Sequence, residues 1–161
     1  MTERLIAATI RRARPDDGPA VRRIVFSTFE AYGIVPDPED TDKDVMTFGE
    51  HADPVDEFVA ELDGETVGSV MVSPHGDTDG WLSKFFVDAR VRGRGIGRAL
   101  LARAVEAARA RGYRRLELDT RFFFKEAIHL YETTGWTLSS DKPALGPCDV
   151  IYTLDLGRAS A

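Results

Sequence analysis

Apolar residues recur along this chain with two periods, and the switches between them mark out its elements. "IRRARPDD" reads as a short first strand, broken by Pro15 and Asp16, with Asp17 as the cap of a following helix. That helix runs through "GPAVRRIVFSTFEAYG", where Val21, Ile24, Val25, Thr28 and Phe29 fall on one face. "IVPDPED" is a loop by its two prolines, and "TDKDVMTFGEH" predicts a short second helix. The period then drops to two. "EFVAEL" and "TVGSVMVS" flank "DGE" as a hairpin, and "WLSKFFV" follows as a strand after "PHGDTDG".

A helical period returns from about Gly95 to Arg111, with Ile96, Leu100, Leu101, Ala104, Val105 and Ala108 as its apolar stripe. "RRLELDT" is a strand, "KEAIHLYETTG" a helix, and "WTLSS" and "DVIYTLDL" are the closing strands. The order β-α-α-β-β-β-α-β-α-β-β, hairpins first and βαβ units after, implies a mixed sheet with helices on its faces. A chain of 161 residues without internal repeats is expected to form one domain, residues 1–161.

Composition narrows the function classes. A net charge of −6 argues against a duplex nucleic-acid binder. One cysteine, Cys148, allows neither an internal disulfide nor a thiolate metal cluster, which fits a reducing, cytoplasmic setting. The apolar run "LIAATI" is too short for a signal peptide or a membrane span, so the expectation is a soluble protein without a membrane partner. His51, His75 and His129 are scattered; His129 and Glu132 share a helix face but lack a partner set, so no metal site is expected. Cys148 has no identifiable base beside it.

Against this acidic background, Arg92, Gly93, Arg94, Gly95, Ile96, Gly97 and Arg98 crowd together just before a helix. The first turn of a helix offers unpaired N–H groups and partial positive charge. Glycines let a ligand approach those amides, and arginines add mobile charge, so the combination is a phosphate cradle. A P-loop requires Lys-Ser/Thr after its last glycine, and Gly97 is followed by Arg98 and Ala99. A dinucleotide fingerprint fails as well, because its third glycine position is Arg98 or Leu100.

The pattern that fits is Arg-x-x-Gly-x-Gly, at Arg92, Gly95 and Gly97, within "FFVDARVRGRGIGRALL". It resembles the acetyl-coenzyme A pyrophosphate loop of the Gcn5-related N-acetyltransferases. A second block, "EAIHLYETTGW", resembles that family's Ala-x-x-Leu-Tyr-x-x-x-Gly-Phe/Trp segment through Ala127, Leu130, Tyr131, Gly135 and Trp136. The two blocks are separated by one helix and one strand, as in the family, and the resemblance is specific over about residues 80–137.

The resemblance implies an α/β acyl-coenzyme A acyltransferase fold, with a central mixed, mostly antiparallel sheet flanked by helices. It implies acetyl-coenzyme A as co-substrate, no metal, and direct acetyl transfer to a primary amine of a small-molecule or amino-acid-like acceptor. The backbone of Phe85, Phe86 and Val87 would meet the acetyl carbonyl and pantetheine, Arg92 to Arg98 the pyrophosphate, and Ala127 would lie on the cofactor side. Tyr131 matches the tyrosine that protonates the leaving thiolate. The family's strand glutamate is replaced by Trp81, which leaves Asp119 as first candidate base and Glu117 as second, on one strand face by alternation. The family's pantetheine-binding asparagine is replaced by Phe124, and Phe122, Phe123 and Phe124 are expected as core and tunnel lining. The acidic stretch "PDPEDTDKD" would lie on the acceptor side. A homodimer is compatible with the family. A non-catalytic acyl-coenzyme A sensor, or an enzyme acting on a protein N-terminus or lysine, remains as the alternative.

Overall fold

In the computed structural model, which describes residues 8–140 and 150–157, the elements follow the predicted order. They are β1 (Thr9–Arg12), α1 (Gly18–Ala31), α2 (Lys43–Met46), β2 (Asp56–Leu62), β3 (Glu65–His75) and β4 (Asp79–Val87). After these come α3 (Ile96–Ala110), β5 (Arg115–Thr120), α4 (Lys125–Thr133), β6 (Thr137–Leu138) and β7 (Val150–Asp155). The strands form one sheet in the order β1-β2-β3-β4-β5-β7-β6. Every pairing is antiparallel except β4 with β5.

The β2–β3 hairpin turns at Asp63 and Gly64, both with positive φ (51° and 79°), the geometry that matches the twist of the flanking strands. Central strands are buried on both faces because each face carries a helix layer. Phe58, Ala60 and Leu62 of β2 pack with Leu100, Leu101, Ala104 and Ala108 of α3. Their neighbour Val59 points the other way, with Met71, into Val21 and Val25 of α1. α3 lies close on β3: a Cβ at Gly68 would sit 2.8 Å from Leu100 Cδ1. The end of α3 is pinned by Arg111, whose guanidinium donates to the buried carboxylate of Asp56; Arg12 donates to the same carboxylate at 2.8 Å.

Asp17 corrects one expectation. Its side chain does not cap α1. It is buried and accepts instead from both terminal nitrogens of the Arg11 guanidinium, from the Arg14 N–H and from the Thr66 hydroxyl, at 2.7–2.8 Å. Burial pushes its pKa up, but those donors outweigh burial and hold it at about 2. Asp17 therefore ties β1 and the hairpin to the start of α1.

Candidate active site

The site begins where the sheet comes apart. β4 pairs with β5 only at Gly80–Leu116 and Trp81–Glu117, and beyond those pairs Leu82 to Val87 have no ladder to β5. On its other edge β4 stays paired to β3, but the register slips: Ser69 lies opposite Phe86, whereas Met71 lies opposite Ser83. The extra residue makes a bulge in β4. Lys84 within it has a φ of 53°, in the left-handed region that lysine seldom adopts. Ser69, with no exposed surface, donates its hydroxyl to the Lys84 carbonyl at 2.7 Å.

Beyond β4 the glycine-arginine loop leads into α3. Gly93 and Gly95 carry φ of 81° and 80°, so these two glycines are required by backbone conformation. The first helical bond runs from the Ala99 N–H to the Gly95 carbonyl at 3.1 Å, which leaves the amides of Ile96, Gly97 and Arg98 without partners inside the helix. Gly97 is needed for space instead. A Cβ there would lie 3.1 Å from Leu130 Cδ1 and 3.6 Å from both Phe85 Cζ and Val87 Cγ2.

These groups line a cavity of about 510 Å³ with Phe85, Val87, Arg92, Gly93, Gly95, Ile96, Gly97, Arg98 and Ala127. Arg92 reaches Glu126 of α4 at 3.6 Å across it. Arg94 is exposed on the loop and does not line the cavity. The carboxyl of Asp88, at the foot of the loop, is held below its ordinary value chiefly by hydrogen bonds from Arg90.

A second cavity of about 450 Å³ adjoins the first, and the two share Phe85, Arg92, Glu126 and Ala127 as walls. It fills the gap between β4 and β5. Tyr131 lines it and is only 4% exposed, and burial alone pushes its hydroxyl well above the ordinary tyrosine value. Its ring packs against Phe85, Trp136 and Tyr152, which fixes the direction of the hydroxyl. Asp119 lines the same cavity, and so do Phe86 and Phe124.

Glu117 does not line it. Two residues earlier on the same strand face, it sits where β4 and β5 are still paired, and its carboxylate meets His75 Nε2 at 2.9 Å. Trp81 packs against His75 there, with ring centroids 5.0 Å apart. From the acidic stretch, Thr41 and Asp42 line the cavity, while the Asp42 carboxylate accepts the Asp37 N–H at 2.7 Å.

The three phenylalanines are not core. Phe122 is 60% exposed and Phe123 37%, and Phe124 alone lines the cavity. Residues that the sequence did not assign to the site also shape this half: Phe29, read only as part of the apolar face of its helix, Tyr32 at the end of α1, Lys84 from the bulge, and Arg121 after β5. Cys148 lies outside the described residues. Among the described residues, no cluster of histidine and carboxylate side chains could hold a metal ion, and no helix is long and apolar enough to cross a membrane.

A sheet splayed beside a glycine-rich helix start, with a buried tyrosine at the junction, defines an acyl-coenzyme A acyltransferase architecture. Comparison with known proteins agrees. The profile of the Acetyltransferase (GNAT) family matches residues 19–136. The chain is 32% identical over 138 residues to a protein of Escherichia coli K12 named uncharacterized N-acetyltransferase YjgM, covering 79% of this chain and 80% of that one. It is also 32% identical over 142 residues to aminoglycoside N(6')-acetyltransferase type 1 of Stenotrophomonas maltophilia, covering 81% and 86%. The structure of yncA from Salmonella typhimurium, solved with its cofactor acetyl-coenzyme A, superposes with a TM-score of 0.77 at 22% identity, over 96% of this chain and 97% of that one. The chain belongs to the acetyltransferase (GNAT) family, and it is an acyltransferase.

Proposed function

We propose that this chain transfers the acetyl group of acetyl-coenzyme A directly to the primary amine of a small-molecule or amino-acid-like acceptor. The observation that carries the reading is the gap between β4 and β5. It joins a cradle of unpaired amides on one side to a cavity holding Tyr131 and Asp119 on the other. The cradle fits a pyrophosphate: the amides of Ile96, Gly97 and Arg98 point out of the first turn of α3, and Gly97 lacks the Cβ that would fill the floor. Arg92 and Arg98 add positive charge beside it. The free edge of β4 from Phe85 to Val87 offers backbone groups to an extended pantetheine chain and to the thioester carbonyl.

The chemistry forms an N–C bond to the acetyl carbon and breaks the C–S bond. Asp119, directly or through a water, takes the proton that the attacking amine loses. Tyr131 stays a neutral phenol because burial disfavours the phenolate, so it can give its proton to the departing thiolate sulfur. No covalent enzyme intermediate is needed. The name of the aminoglycoside relative is in keeping with a small amine acceptor.

Calorimetry with acetyl-coenzyme A, comparing wild type with Gly95→Glu/Gly97→Glu, tests the reading. Binding that the double variant loses is expected. A folded wild type that binds neither acetyl-coenzyme A nor coenzyme A would overturn it.

A further inference from the structure

We infer, resting on the acetyltransfer reading above, that the acceptor is an α-amino acid with a large apolar side chain, an aromatic one above all. The acceptor half of the cleft has an aromatic wall built from three separate parts of the chain, the end of α1, the end of β4 and the segment after β5. Phe29 meets Phe86 edge-on at 5.8 Å, Phe86 meets Phe124 at 6.5 Å, and Phe124 meets Tyr32 at 5.0 Å. Phe123 closes the row, stacked on Tyr32 at 5.1 Å. The row runs from the core at Phe29 to the mouth, where Tyr32 stays 41% exposed and Phe123 37%. Rings left open to water contribute little to folding, but they offer an apolar ligand a face to cover.

The charges along this wall choose the rest of the ligand. Lys84 and Arg121 both line the cavity, and among the described residues neither forms an ion pair with a carboxylate. The Arg121 guanidinium lies over the Phe123 ring, 5.6 Å from its centroid. A cation is thus held at the border of the aromatic wall, where the carboxylate of a bound aromatic amino acid would fall. The lining carboxylates Asp42, Asp119 and Glu126 are matched in number by the cations Lys84, Arg92 and Arg121, so the cavity has no surplus of negative charge with which to hold a polycation. An apolar body, a carboxylate and one amine to be acetylated describe an apolar α-amino acid.

The test is release of the coenzyme A thiol at fixed acetyl-coenzyme A with phenylalanine, phenethylamine, alanine and spermidine as acceptors, beside calorimetry of acetyl-coenzyme A alone. Phenylalanine is expected to exceed each of the other three by tenfold or more in kcat/KM. Arg121→Gln is expected to lower the phenylalanine-to-phenethylamine ratio at least tenfold, and Phe123→Ala the phenylalanine-to-alanine ratio. Lys84→Gln gives a second reading of the carboxylate term. If the protein binds acetyl-coenzyme A yet prefers phenethylamine, alanine or spermidine, or turns over none of the four, this inference is overturned and the acetyltransfer reading stands. Failure to bind acetyl-coenzyme A would overturn that reading first.

Discussion

Replacing Ser69 by alanine tests whether the bulge in β4 is held from β3. The hydroxyl is fully buried and spends its proton on the Lys84 carbonyl at 2.7 Å. Alanine removes one oxygen, so it leaves little cavity. It does leave a carbonyl short of a donor, at a residue whose φ of 53° already costs an L-amino acid about 1 kcal/mol. Loss of one such hydrogen bond is worth about 1 kcal/mol, and about 2 if the carbonyl finds no substitute. For a domain of this size that corresponds to a fall in Tm of about 3–6 °C.

The functional consequence is separable from the stability loss. If the freed bulge relaxes, only the fraction of molecules still bulged presents the β4 edge to acetyl-coenzyme A. The apparent Kd then rises by as much as the lost bond allows, about fivefold for 1 kcal/mol. Thermal unfolding and calorimetry on Ser69→Ala read the two effects. A lowered Tm with an unchanged Kd would refute the argument, since Ser69 would then be packing alone; so would no change in either.

Four further outcomes follow from the same geometry. Tyr131→Phe should lower kcat by about 10²-fold with little change in KM for acetyl-coenzyme A, measured by steady-state thiol release. Because burial raises the Tyr131 pKa, its phenol stays protonated through the alkaline range, and the wild-type pH–rate profile should show no tyrosine-linked fall up to about pH 10. Gly95→Ala and Gly97→Ala should lose different things: the first costs about 1 kcal/mol of stability at a φ of 80°, while in the second the crowding of Leu130 Cδ1 at 3.1 Å offsets the gain in helix propensity and acetyl-coenzyme A binding weakens, as paired melts and calorimetry would show. For Asp17, whose folded pKa of about 2 lies below the ordinary carboxylate value of 3.8, stability is fully present above pH 4 and lost as pH falls toward 2. Asp17→Asn should remove about 2 kcal/mol at pH 7 and flatten that acid limb in denaturant titrations.

Sequence reading reached the elements and the cradle because both are written locally. Period, turn residues and the spacing of Arg92, Gly95 and Gly97 lie within a few residues of one another. Where tertiary partners decide, the same logic misleads. Asp17 sits where a helix cap would sit, but Arg11 on β1 and Thr66 at the hairpin claim its carboxylate. Phe122 and Phe123 have the composition of core, and yet they follow β5 in a loop where they stay 60% and 37% exposed. Lys84 gives no sign of a left-handed residue, since glycine, asparagine or aspartate would be the usual marker.

The gap between β4 and β5 is the least legible feature of all, and it explains how the candidate residues sort. "WLSKFFV" reads as one uninterrupted strand, and nothing in it says that pairing with β5 ends after Trp81. Alternation puts Glu117 and Asp119 on one face as equivalent candidates, but the sheet is still closed beside Glu117 and open beside Asp119. The closed part lets Glu117 settle against His75, and the open part keeps Asp119 at the cleft with Tyr131. The bulge at Lys84 acts at that same opening. An inserted residue bends its strand and increases local twist, which turns the end of β4 away from β5. The buried Ser69 hydroxyl on β3 is thus tied to the distance between two strands that it does not itself join.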